Sequence, residues 1–258
     1  MSPLVAEPAR AMLFVEWGLI MNRRLLISFL ILMAPCPAAH AKETLVIAQS
    51  GSLVGNHVIY LQPQSAIKVF DQQSKISLIA KKPDWQLILA NDRTKSWCIV
   101  TKGLKSPFSN TTLWMLTGQD FNSLQWNASG TATIASQPAT DFKTLLLDLD
   151  TGIATAKRPA HVYAMQAQVV PKPVASAVCK FLSMPVVGSL PLKVIYTNGI
   201  GEPVKVLDTD SIQRKQIADA QFAVPDGYRR KDRQDEVFKD PNRQQAIEDM
   251  VQSIGRHK

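Results

Sequence analysis

The feature that most constrains this chain is alternation of apolar and polar residues with a period of two. It recurs between residues 46 and 100 in short runs broken by polar residues and proline, where an α-helix would need a period of 3.6. The runs are residues 58–62, 66–70, 76–80, 85–90 and 96–100. Residues 91–95 (Asn-Asp-Arg-Thr-Lys) favour a chain reversal. The pattern predicts an antiparallel β-meander.

The later part of the chain predicts further strands and two helices. The strands are expected at residues 130–135, 142–149, 153–156, 162–170, 191–196 and 203–207. A first helix is expected at residues 109–118, between a Ser or Asn cap and a terminating Gly. A second is expected at residues 173–184, with proline in its first turn. The fold class is therefore mainly β, of the α+β kind.

An export signal precedes this region. Residues 21–24 are basic, residues 25–33 form an apolar run, and Ala39-His40-Ala41 has the small-x-small pattern that signal peptidase accepts. The apolar run is too short to span a bilayer, which argues against a retained anchor. We expect cleavage after Ala41 and a location in the periplasm or outside the cell. Residues 1–20 are interpreted as an upstream extension.

The character of the chain changes again near its carboxy end. Residues 42–230 are predicted to form one domain, and residues 231–258 a charged tail. Charges at residues 229–240 predict a mobile segment, which leads into an amphipathic helix. The apolar residues of that helix share one face: Ile247, Met250, Val251 and Ile254. This face would cover its own domain, a protein partner or a membrane surface.

The formal net charge of +8 narrows the choice of partners. Lysine and arginine are scattered until residue 229, and no basic-aromatic pattern of a nucleic-acid-binding module occurs. We therefore expect no nucleic-acid partner. The charge favours a solvated surface or peripheral contact with an anionic membrane surface.

Motifs that carry catalytic chemistry are mostly missing. The predicted mature chain has only three scattered histidines (57, 161 and 257), and no Cys-x-x-Cys, glycine-rich phosphate loop or Gly-x-Ser-x-Gly occurs. Residues 150–152 are Asp-Thr-Gly, the triplet of aspartic proteases, but those enzymes need two such aspartates. The other candidate, residues 208–210, lacks the glycine, so a hairpin turn is the better interpretation. We expect no enzymatic activity, metal or cofactor.

Cys98 and Cys179 remain after the predicted cleavage. An even number of cysteines in an exported chain favours a disulfide between them. Such a bridge would close a loop of about eighty residues and contribute about 4 kcal/mol in entropic models. Two buried free thiols are the alternative.

Four tryptophans lie close together in the sequence and suggest a binding surface. On a curved sheet they would line an apolar face that helices cover, leaving a cavity. The predicted cavity residues are Trp85, Leu87, Leu89, Trp97, Ile99, Trp114 and Trp126. An ordinary packed core is the alternative.

Short motifs occurring in a set order resemble the LolA-like (lipoprotein carrier-like) superfamily. They are Lys-Lys-Pro-Asp-Trp-Gln-Leu-Ile-Leu at 81–89 with Lys-Ser-Trp at 95–97, Gly-Thr-Ala-Thr-Ile-Ala at 130–135, Thr-Gly-Ile at 151–153, Leu-Pro-Leu-Lys at 190–193 and Phe-Ala-Val-Pro-Asp-Gly-Tyr at 222–228. The resemblance implies an incomplete antiparallel β-barrel, with helices covering the concave face of an apolar cavity that holds acyl chains. The charged tail departs from the pattern of the carriers.

These observations lead to one hypothesis and one alternative. The hypothesis is a non-enzymatic envelope protein that binds a hydrophobic ligand, such as a lipid or the acyl chains of a lipoprotein, in an apolar cavity. The alternative is a structural or interaction protein of the envelope that docks a partner through its carboxy-terminal helix.

Overall fold

The computed structural model describes residues 41–51, 55–101, 103–104, 125–147, 154–155, 160–197 and 202–239. Its strands are β1 (Ala41–Gly51), β2 (Gly55–Gln62), β3 (Ala66–Asp71), β4 (Ile76–Lys81), β5 (Ile88–Asn91), β6 (Ser96–Ile99), β7 (Gln125–Ile134), β8 (Gln137–Leu147), β9 (Ala154–Thr155), β10 (Ala160–Met165), β11 (Pro191–Thr197), β12 (Pro203–Ala218) and β13 (Arg229–Arg230). Its helices are α1 (Lys172–Phe181), a short 3-10 helix (Asp219–Phe222) and α2 (Gln234–Phe238). No helix in these ranges is both long and apolar enough to cross a membrane.

The described strands form one open sheet. Its order is β13-β6-β5-β4-β3-β2-β1-β12-β11-β10-β8-β7, and β9 pairs with β8 beside this path. Neighbouring strands are antiparallel apart from β13, which runs parallel to β6. The mainly β prediction is confirmed, and an open sheet with few helices is consistent with an incomplete barrel. That helices cover a concave face stays a prediction.

The pairing of β1 with β12 joins the two halves of the sheet. The register runs from Ala41 opposite Ala218 to Ser50 opposite Asp208. The sequence predicts a strand only at residues 203–207, whereas β12 is 16 residues long. No residue of its second half is buried. Without a buried face it lacks the apolar alternation on which the prediction depends.

One face of the sheet is closely packed. Alternate residues of neighbouring strands are fully buried there, among them Ile47, Ile59, Val69, Leu78 and Leu89. They belong to one hydrophobic core. Complete burial of each such side chain contributes about 1.5–3 kcal/mol, so this face holds the fold together.

Helix α1 packs into the same core. It lies where the sequence predicts a helix, at residues 173–184, and Pro173 stands in its first turn, where no backbone N–H is needed. Val178 and Phe181 are fully buried among the strand residues. The chain leaves the helix at Ser183, whose φ of 55° is typical of a helix end. The predicted helix is confirmed.

Residues 229–230 pair with the sheet and residues 234–238 form a helix that packs against it, contrary to the predicted mobile segment. Strand β13 pairs with β6, and Val237 of α2 is fully buried. The Nδ2 of Asn91 donates a hydrogen bond to the Val237 carbonyl oxygen at 2.8 Å. The sequence signal was charge alone, which does not reveal backbone pairing or one buried apolar side chain.

Several predicted features lie outside the described residues. They are the helix at 109–118 with Trp114, the Asp-Thr-Gly turn at 150–152, and the amphipathic helix with Ile247, Met250, Val251 and Ile254. Cleavage after Ala41 also stays a prediction.

Candidate functional site

The apolar face of the sheet becomes partly exposed at one end of the β5–β6 hairpin. Leu89 lies opposite Cys98, and both are fully buried. Two residues further along, the Val100 N–H donates to the Leu87 carbonyl oxygen at 2.9 Å. Because side chains alternate along a strand, Leu87 and Val100 share the face of Leu89 and Cys98. Both are only half-buried and pack against the core.

We add two residues that lie close to Leu87 and Val100 in the chain and define the apolar rim as Trp85, Leu87, Val100 and Leu104. Trp85 and Leu104 are half-buried and pack against the same core. Trp85 lies in the turn before β5, with a φ of 55°, and its N–H donates to the Lys81 carbonyl oxygen at 3.0 Å. The predicted strand at 85–90 therefore begins only at Ile88. The rim is one of the places where apolar residues packed against the core are partly exposed.

Two of the predicted cavity residues lie on the opposite face of the sheet. Trp97 is paired with Ala90 and Ile99 with Ile88, one position out of step with the pair Leu89 and Cys98. Instead of facing the core, the Trp97 ring lies 5.5 Å from the Arg230 guanidinium carbon. The structure therefore separates Trp97 and Ile99 from the apolar rim.

The remaining predicted cavity residues are placed differently. Leu89 is fully buried beneath the rim. Trp126 is half-buried against the same core but stands on β7, at the other end of the strand order from β6. Trp114 lies outside the described residues. Trp85 and Leu87 of the rim are among the predicted cavity residues, whereas the prediction does not include Val100, which directly follows β6, or Leu104.

The two cysteines are free thiols in the structure, contrary to the predicted disulfide. Each is buried in its own part of the core, Cys98 on β6 beneath α2 and Cys179 within α1. The Cys179 Sγ donates to the Ser189 carbonyl oxygen at 3.6 Å. Burial raises the pKa of Cys179 to about 12 and also raises the pKa of Cys98, to which Glu236 and Asp235 add. Neither thiol is poised as a nucleophile.

A buried polar network crosses the middle of the sheet. The His57 Nε2 lies 3.0 Å from the Gln49 Oε1. The Gln49 amide donates to the Pro191 carbonyl oxygen at 2.9 Å and to the Thr209 Oγ1 at 3.0 Å. The Thr209 hydroxyl donates to the Leu192 carbonyl oxygen at 2.6 Å. Because the Gln49 amide group is used as a donor, its Oε1 accepts the proton of a neutral His57.

Burial lowers the pKa of His57 to about 4, although Asp71 and Asp210 oppose the shift. The imidazole is only 1% exposed. A neutral, enclosed histidine whose Nε2 proton is already bound is suited to joining strands. It is not suited to exchanging protons with a ligand.

A mixed-charge cleft of about 370 Å³ lies beside this network. The Ser50 Oγ donates to the Asp210 carboxylate at 2.9 Å. Asp208 pairs with Lys205 at 2.9 Å and with Lys193 at 3.5 Å. Burial alone would raise the pKa of Asp208, but these lysines lower it. No group of three or more potential metal ligands occurs among the described residues.

Comparisons with known proteins give likenesses at low identity. No protein-family model and no curated protein matches the chain. An uncharacterized conserved protein from Thermus thermophilus has 11% identity and a TM-score of 0.39, over 75% of this chain and 91% of that one. The MucA/MucB complex from Pseudomonas aeruginosa has 13% identity and a TM-score of 0.31, and the match covers 72% of this chain and 57% of that one. A LolA superfamily protein from Nitrosomonas europaea has 9% identity and a TM-score of 0.24, over 72% and 91%.

A LolA superfamily protein is among the matched structures, and the sequence motifs resemble the same superfamily. All three TM-scores are below 0.5, so no binding site or activity of this chain is inferred from them.

Proposed function

We propose that this chain is a non-enzymatic binding protein of the cell envelope, which holds a hydrophobic ligand at the apolar rim. The observation that carries the proposal is that Trp85, Leu87, Val100 and Leu104 pack against the buried core yet are only half-buried. Covering apolar surface contributes about 25 cal/mol per Å². An acyl chain laid against the rim would extend the core instead of opening it.

Two neighbouring features support a ligand at this place. The Gln234 Nε2 of α2 donates to the Gly103 carbonyl oxygen at 3.1 Å, so the helix begins beside the end of the rim. Phe238 of the same helix is half-buried against the core. A ligand at the rim would thus have the sheet on one side and the start of α2 at its border.

The chemistry of the enclosed groups also favours binding over catalysis. His57 is buried and neutral, and the thiols of Cys98 and Cys179 are buried with raised pKa values. These groups offer no accessible base or nucleophile to a substrate. Location in the envelope rests on the predicted export signal.

The test is binding of a dansyl-labelled fatty acid to the purified protein, followed by its fluorescence. Leu87→Gln with Val100→Gln places two amides at the rim and should weaken binding at least tenfold. Ile99→Gln makes the same change on the opposite face of the same hairpin and should leave binding unchanged. Val100→Thr preserves the shape of the side chain and gives a milder variant if the double variant does not fold.

Two results would contradict the proposal. One is that the natural protein neither takes up the fatty acid nor carries a lipid after gentle purification, as judged by mass spectrometry. The other is an equal loss of binding in Ile99→Gln and the rim variants.

The alternative function, docking of a protein partner, is tested by removing residues 240–258, a deletion that leaves β13 and α2 in place.

A further inference from the structure

The return of the chain to β6 builds a second surface, away from the rim. The Arg229 N–H donates to the Lys95 carbonyl oxygen at 2.8 Å, and the Lys231 N–H donates to the Trp97 carbonyl oxygen at 2.7 Å. These bonds hold residues 229–231 in an extended form along β6. Their side chains therefore point alternately to the two faces of the sheet.

This alternation places the three consecutive cations at residues 229–231 on different faces of the sheet. Arg230 lies over the Trp97 ring, 5.5 Å from its centre. Arg229 and Lys231 point the other way and line a cleft of about 430 Å³. The cleft is formed by the turn before β6, the segment before β13, and α2. Its lining residues are Thr94, Lys95, Ser96, Gly227, Arg229, Lys231, Glu236 and Lys239.

The charges of this cleft are unbalanced. Four of its lining residues are cations, and Glu236 is its only acid among the described residues. Within the described part of the chain, Arg229, Lys231 and Lys239 form no ion pair. Cations gathered in a concave site with so little compensation attract anions.

The hydrogen-bonding groups match one kind of anion. The hydroxyls of Thr94 and Ser96 lie 2.6 Å apart in the cleft wall. The Arg229 guanidinium offers the planar pair of donors that phosphate and carboxylate groups accept, and lysine ammonium groups bind phosphate as point charges. A volume of about 430 Å³ is within the usual range for small-molecule sites, about 300–1,000 Å³.

A neighbouring contact fixes the fourth cation at the edge of the cleft. The Lys95 Nζ lies 5.1 Å from the centre of the Tyr228 ring, and the Tyr228 hydroxyl donates to Asp92 at 2.8 Å. Asp92 is thereby occupied by the tyrosine. It is not among the residues that line the cleft.

We propose that this cleft binds a phosphate-bearing anion, held by Arg229, Lys231 and Lys239 with the hydroxyls of Thr94 and Ser96. The phosphate would belong either to a soluble phosphate ester or to a phospholipid headgroup. The site is distinct from the apolar rim, which lies at the opposite end of the β5–β6 hairpin, so either can fail without the other.

The first measurement uses inorganic phosphate and the unaltered protein. Titration at constant ionic strength, followed by amide chemical shifts, should give saturable changes confined to residues 94–96, 227–231 and 236–239. Changes scattered over the lysines of the whole surface, or equal changes with chloride, would overturn the proposal.

The second measurement uses matched variants. Arg229→Gln with Lys231→Gln should weaken phosphate binding at least tenfold, while Arg230→Gln, which removes a cation on the other face of the same strand, should leave it unchanged. The backbone pairing of this segment does not depend on its side chains, and circular dichroism checks the fold. Equal losses in the two variants would overturn the proposal.

A vesicle assay then separates the two sources of the phosphate group. Vesicles of phosphatidylcholine with phosphatidylglycerol should sediment the natural protein, but not the Arg229 and Lys231 variant, if a headgroup is the ligand. Binding of inorganic phosphate without binding of vesicles supports a soluble ester. Binding of neither overturns the proposal, and leaves the dansyl fatty acid result at the rim unaffected.

Discussion

The hydrogen bonds around His57 give this buried side chain a structural role. Its Nε2 proton is bound by Gln49, whose other amide contacts reach β11 and β12. The imidazole therefore belongs to the connection between the two halves of the sheet. The sequence gives no sign of this role, because His57 reaches the other half of the sheet only through Gln49, which binds Thr209 at a distance of 160 residues along the chain.

The first prediction concerns the pH dependence of stability. The pKa of His57 is about 4 in the folded protein and about 6.5 in an unfolded chain. Between these values the unfolded chain binds more protons, so the free energy of unfolding falls as the pH is lowered through this window. The loss should total about 3 kcal/mol by pH 4. Urea denaturation at pH 7.0 and at several points down to pH 4.0 measures it.

The contribution of His57 is isolated by comparing two variants. His57→Gln should remove most of this decline. His161→Gln, made at a partly exposed histidine that pairs with Asp141 at 3.0 Å, should retain it. A decline of the same size in His57→Gln would assign the pH dependence to other groups.

At the scale of elements, the β5–β6 hairpin shows what alternation can and cannot predict. The sequence identifies both strands and the turn. It does not give the register, because Asn91 is still paired with Ser96 and the turn is one residue shorter than the polar run from 91 to 95. A slip of one residue reverses the faces of a strand. The alternation therefore predicts Trp97 and Ile99 on the face of Leu89, whereas the observed register puts them on the other face.

The second prediction concerns α2. Val237→Asp would place a charge among apolar side chains, so we expect the helix to leave the sheet. Cys98, which lies beneath it, should then be alkylated by iodoacetamide at least ten times faster. Peptide mass spectrometry gives the rate at each cysteine.

Cys179 is an internal control for that experiment. It is enclosed by α1 and the strands and should stay unreactive in both proteins. Equal exposure of both thiols would mean that the whole domain had opened. If the thiols of the natural protein reacted only after reduction, that result would support the predicted disulfide between Cys98 and Cys179.

At the scale of the whole molecule, the order of the strands in the sheet could not be predicted from the alternation of apolar and polar residues. Local hairpins could be predicted from alternation and turn residues. The pairing of β1 with β12 could not, because the two strands are separated by 151 residues and only side-chain packing selects the partner. The same limit applies to β13, whose two exposed arginines have no alternation at all.

The third prediction tests the seam between the two halves of the sheet. Ile47 lies opposite Ile212, but Ile47 is fully buried and Ile212 only half-buried. Ile47→Ala should lower the free energy of unfolding by about 2–5 kcal/mol. Ile212→Ala should lower the free energy of unfolding by clearly less than Ile47→Ala does.

Chemical denaturation followed by both tryptophan fluorescence and circular dichroism measures these changes. The two signals should coincide, since one core joins both halves. Separate transitions would show that the halves are stable independently. Similar costs for the two isoleucines would contradict the burial of Ile47.

The pairing of β1 with β12 also limits the order in which the strands can pair during folding. Hairpins from β2 to β6 involve neighbours along the chain and can form early, whereas β1 must wait for residue 218 before its second edge is paired. Contacts so distant in sequence slow the search for the native state. Until then, the first strand has one open edge, and the polypeptide remains in an unfinished form for most of its synthesis.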